Sequence, residues 1–89
     1  MKTYTVEVIS TVEVTLDETK FTPEFFAEFN ETISDWNDDL EEHAKHLAWV
    51  HATGVEALDG YGSFVEGYGP TKDMGISAML LSTEVDLLP

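Results

Sequence analysis

Between Phe21 and Ala44 lie eight carboxylates and no lysine or arginine. Glu24, Glu28, Glu31 and Asp35 recur at four-, three- and four-residue steps, which on a helix stacks them along one face. Asp38, Asp39, Glu41 and Glu42 extend the negative charge past the next turn. Neighbouring carboxylates on such a face sit ~5–6 Å apart, close to the ~6–7 Å contour repeat of phosphates along a nucleic-acid strand. The spacing therefore suits a surface that occupies a basic groove on another protein. The plainer reading of the same residues is a solvated face that keeps the chain soluble. A halophilic source is a third, but it would spread acid evenly instead of gathering it between residues 24 and 42.

The histidines offer different chemistry. His43 and His46 stand three apart, with Asp39 one turn before His43, so the three could present metal-ligating groups on adjoining turns. The pattern lacks the Glu-x-x-His pair of di-iron bundles and the His-Glu-x-x-His of zinc peptidases, so no metal or cofactor is assigned. An Asp39–His43 pair across one turn accounts for the spacing more simply. Gly62-Ser63 lacks the context of a nucleophile elbow, and Gly67-Tyr68-Gly69-Pro70 lacks the lysine of a phosphate loop. The carboxylates are plentiful, but no pattern separates an acid from a base among them, and we expect no enzyme. Trp49 falls on the Glu42 side of a helical wheel, away from Leu47, where it would serve as an apolar anchor beside the acids.

Composition narrows the partners. The 89 residues hold 18 Asp and Glu against 4 Lys, a formal charge of −14, which disfavours direct contact with nucleic acid or anionic membrane. A hydrophobic content of 43% is too high for a disordered acidic tail, so a folded single domain over 1–89 is expected. The absence of cysteine removes disulfides and thiol chemistry and fits a reducing cytoplasm. No apolar run approaches a membrane span, and no signal-like segment opens the chain.

The elements that must position these residues follow from periodicity. Residues 3–16 alternate, with Tyr4, Val6, Val8, Ser10, Val12, Val14 and Leu16 on the even side, predicting a long half-buried strand with that side toward the core and a bulge or bend near Ser10. Thr22-Pro23-Glu24 opens a helix whose buried face is Phe26, Phe29, Ile33 and Trp36, with Phe25 beside it. Asp38 and Glu41 have capping-box spacing for a second helix, with Leu40, Ala44, Leu47 and His51 or Val50 inward and Thr53-Gly54 at its end. One long kinked helix competes with two, and two are preferred because the residues between favour caps. Val55 to Gly62 reads as a linker, 63–66 as a short strand and 67–70 as a loop. Gly75 to Leu87 is a final strand with Met79, Leu81, Val85 and Leu87 on one side, and the blurred phase at Leu80-Leu81 signals a bulge or two covered faces. The expectation is an α+β two-layer sandwich of order β-α-α-β-β, an antiparallel-leaning three-stranded sheet with both helices on one face.

Three blocks carry a resemblance: Phe-Thr-Pro-Glu-Phe-Phe-Ala-Glu-Phe-Asn-Glu from Phe21, Glu-Glu-His-Ala-Lys-His-Leu-Ala from Glu41, and Gly-Ser-Phe-Val-Glu-Gly-Tyr-Gly-Pro-Thr-Lys-Asp-Met-Gly-Ile from Gly62. Together they resemble small proteins encoded by phages and other mobile elements. In size and acidity the chain also resembles the anti-CRISPR and anti-restriction class, many of which imitate DNA. That resemblance implies a non-enzymatic inhibitor in a bacterial host cytoplasm that blocks a basic, nucleic-acid-binding surface of a CRISPR–Cas effector. The contacts would be Glu24, Glu28, Glu31, Asp35, Asp38, Asp39, Glu42 and Trp49. The alternative is a small interaction module, in one form a homodimer joined through a strand edge, whose acidity serves solubility alone.

Overall fold

A computed structural model describes residues 1–33, 39–59 and 62–89. Strand β1 spans Val6–Thr15, helix α1 Pro23–Thr32, helix α2 Leu40–Ala52, the short strands β2 and β3 Phe64–Val65 and Gly69–Pro70, and strand β4 Ser77–Leu87. The class is α+β. The sheet differs from expectation: four strands form two separate pairs, β1 with β4 and β2 with β3, both antiparallel. The short strand joins no third position because the glycine-rich turn behind it closes locally. Tyr68 N–H donates to the Val65 carbonyl at 3.0 Å, and Thr71 N–H donates to Ser63 at 3.0 Å. Pro70, having no N–H, could not add to a longer ladder.

The helices begin where the sequence places them. The Thr22 hydroxyl accepts from Phe25 N–H at 3.2 Å, and Pro23 takes the first helical position. Helix α1 ends at Thr32, and α2 starts afresh with Asp39 as its cap, accepting from Glu41 N–H at 3.0 Å. The cap is thus Asp39 and not Asp38; Asp38, with Asp35 and Trp36, lies outside the described residues. Phe26 and Phe29 are buried as expected, whereas Ile33 caps the helix end and stays exposed.

The β1–β4 pair is a ribbon with Val6 opposite Leu87 at one end and Thr15 opposite Ser77 at the other. Its register slips between Thr11 and Val12, leaving Leu81 as the extra residue of a bulge. The slip moves Met79 opposite Glu13, away from the side that Val85 and Leu87 share with Val8 and Val6. Of the two helices, α2 is the one that lies along the ribbon, so they do not share one sheet face. The even side of β1 meets the core only through Val14 and Leu16, with Val12 half-buried; Val6 and Val8 are open. The projecting ribbon stretches the molecule to 52 × 26 × 20 Å, with a radius of gyration of 15.4 Å where a compact chain of this length has ~12 Å.

The core sits at the other end. Phe21, Phe26, Phe29, Leu47, Val50, Leu58, Val65, Tyr68, Met74 and Ile76 form one buried cluster. Two glycines make it possible. Gly67 has φ +90°, and a Cβ there would come within 2.6 Å of the Phe29 ring. Gly75 has φ +63° and backs onto Asp17, where a Cβ would meet the Asp17 Cβ at 2.7 Å. The Gly-Tyr-Gly-Pro segment is therefore a scaffold that drives Tyr68 into the core.

Candidate functional site

Glu24, Glu28 and Glu31 are all exposed on α1, the helix that carries no basic residue in its last turn. None of the three forms an ion pair among the described residues. Glu24 suits the positive end of the helix. Glu31 does not suit the negative end, and Glu24 and Glu28 repel across one turn. Each unfavourable pair costs roughly 0.2–0.5 kcal/mol in an isolated helix, so this face weakens the element that bears it. Asp39 is exposed but engaged as a cap, and Glu42 is paired with Lys45 at 3.0 Å. The structure thus keeps three carboxylates of the predicted row together and unengaged. It assigns local work to two others, and Asp35 and Asp38 fall outside the description.

Among the described residues no three His, Asp or Glu side chains converge as ligands. His43 turns inward with no exposed surface, and its Nδ1 lies 2.7 Å from the Tyr68 hydroxyl. Around it stand Phe29 at 4.7 Å, Phe26 at 5.5 Å and Phe21 at 5.9 Å between ring centroids. Burial holds the His43 pKa below its usual value, the neighbouring His46 adds to the depression, and Asp39 opposes it. Burial likewise raises the Tyr68 hydroxyl pKa far above the normal range. The pair is a neutral hydrogen bond inside an aromatic shell, not the surface Asp39–His43 contact expected. His46 stacks between Trp49 and Tyr68, at 6.1 and 6.3 Å, with its pKa also lowered by burial. His51 Nδ1 accepts from Leu58 N–H at 3.1 Å and so fastens the post-helix loop.

The burial of His43 was findable: His43, Leu47 and Val50 share one helical stripe with Leu40. Its partner Tyr68 was not, because 25 residues of chain separate them.

Trp49 is 57% exposed, as its wheel position required, but its surroundings are mainly apolar. It borders one groove with Ile33, Val55 and Phe64, and another with Val8, Val12, Ala48 and Ala52. The cleft beside Glu28, walled by Phe25, Phe29, Gly67 and Tyr68, encloses about 260 Å3, below the usual range for a drug-sized ligand. No described helix is long and apolar enough to cross a membrane. No protein-family model, curated protein or solved structure matches this chain.

Proposed function

We propose that this protein is a non-enzymatic inhibitor whose α1 carboxylates occupy a basic, nucleic-acid-binding surface of another protein, a CRISPR–Cas effector in a bacterial cytoplasm. The observation that supports it is the row Glu24, Glu28 and Glu31, which is exposed, free of ion pairs among the described residues and unfavourable for its own helix. Acidity needed only for solubility could sit anywhere. Acidity held at phosphate-like spacing on one rigid element is what a basic groove recognises. Asp39 and Glu42 add negative charge at the start of α2, whereas Trp49 belongs to a different, apolar surface.

The test is capture of effectors from lysates carrying different CRISPR–Cas systems, with wild-type and Glu28→Lys/Glu31→Lys protein as bait. A captured effector is then challenged with its target DNA. The reading expects capture that high salt releases, that the double variant loses by at least ~10-fold, and that DNA competes away. Capture indifferent to salt and to charge reversal would contradict it.

A further inference from the structure

The two faces of the ribbon differ in chemistry. Paired residues share a face, so one side carries Val6 with Leu87, Val8 with Val85, Ser10 with Thr83, Val12 with Leu80 and Val14 with Ala78. Not one of these ten is charged. The opposite side carries Glu7 with Asp86, Ile9 with Glu84, Thr11 with Ser82 and Glu13 with Met79. Glu7 and Asp86 face each other directly, which destabilises the pairing they sit in.

Toward the hub, α2 lies over the apolar side, where Ala48, Trp49 and Ala52 border a groove that reaches Val8; among the described residues the strip beyond that groove stays open. Val8 is 60%, Val85 64% and Leu87 65% exposed. Yet the ladder stays paired to its tip, where Leu88 N–H donates to the Thr5 carbonyl at 2.8 Å. A lone two-stranded ribbon is at best marginal in water, and opposed carboxylates on its back make it worse. The ladder needs a cover whenever the chain is folded.

We infer that this cover is a second copy of the same chain, the apolar ribbon faces packing against each other about a twofold axis. This goes beyond the acidic-surface reading and does not rest on it. Three observations select the occupant. A basic partner would gain nothing from a face without charge, whereas its own copy is apolar in the same places and is present whenever the chain is. Stacked faces lie ~10 Å apart and turn both acidic backs outward, leaving the two sets of carboxylates ~20 Å apart, beyond the ~8–10 Å screening length. The open strip of Val6, Val8, Leu80, Val85 and Leu87, continued by Trp49, offers on the order of 700 Å2 per copy, against ~800 Å2 in a standard interface.

The experiment is sedimentation and light-scattering mass of the purified full chain from low to high micromolar concentration, with variants on each face. Wild type should reach twice its 9.9 kDa protomer mass. Val8→Lys and Val85→Lys should each weaken self-association at least ~100-fold, because each buries an unpaired charge. Ile9→Lys, on the acidic back and comparably exposed in the protomer, should leave the dimer intact. Far-ultraviolet circular dichroism and retained thermal unfolding establish that each variant keeps its folded hub. Persistent wild-type monomer would overturn the inference, as would a dimer that Ile9→Lys dissociates while Val8→Lys and Val85→Lys do not, since edge pairing or the other face would then hold it. A dimer that survives all three substitutions would overturn it as well.

Discussion

The aromatic hub and the projecting ribbon solve the problem of burial in opposite ways. The hub, built from Phe21, α1, α2, Leu58 and the segment from Ser63 to Ile76, fills itself. Leu47, Leu58 and Ile76 have no exposed surface, and two polar pairs are drawn in with them, His43 Nδ1 with the Tyr68 hydroxyl and Ser63 with Thr71 at 2.5 Å. The ribbon keeps its two strands paired from end to end, with one bulge, and leaves its side chains in water on both faces over its outer half. Hydrogen bonds exchange water for protein at little net gain, so a ladder without side-chain burial has little to hold it. The difference teaches that one chain can carry a self-sufficient region beside one that is finished only by association.

The largest expected effect breaks the hub. Leu58→Ala should remove about 2–5 kcal/mol of unfolding free energy in urea titrations, since the site is fully enclosed, whereas Thr83→Ala on the open ribbon should cost less than about 1 kcal/mol. Gly67→Ala comes next, at roughly 2 kcal/mol, because it adds both a left-handed-backbone penalty and the clash with Phe29. Tyr68→Phe should cost about 1–2 kcal/mol by leaving His43 Nδ1 buried without its hydroxyl partner.

The smallest effect is the most specific to the hub. His43 has a folded pKa below its unfolded value, so the unfolded chain binds more protons in that window. Stability is therefore fully present above the unfolded value near 6.5 and falls as pH drops through the folded one, by at most about 1.4 kcal/mol per pH unit. Denaturant midpoints measured from neutral pH to about pH 5 should show this slope. It should flatten more in His43→Gln than in His46→Gln, because His46 sits at the edge of the shell.

Much of this was legible in the residues. The alternation from Tyr4 to Leu16 specified β1, Leu80-Leu81 signalled the bulge, and Thr22-Pro23 marked the start of α1, because each is a local rule. The pairing of Phe64-Val65 with Gly69-Pro70 was not, since two-residue strands have no period to read. Nor was the inward turn of Tyr68, which depends on the close approach of Gly67 to Phe29. The acidic row was legible as spacing, but not that Asp39 and Glu42 would be engaged by the helix itself. The even face of β1 shows most plainly where sequence reading stops. Alternation declares that a face requires cover, and it is silent about which molecule supplies it.

Amide hydrogen exchange at low and high protein concentration tests this division most directly. The account predicts that hub amides, such as those of Leu47 and Ile76, keep the same protection at both concentrations. Amides paired across Val6–Thr11 and Ser82–Leu87 should gain protection as concentration rises. Outer-ribbon protection that equals the hub's and ignores concentration would contradict it, for the ribbon would then be stable on its own.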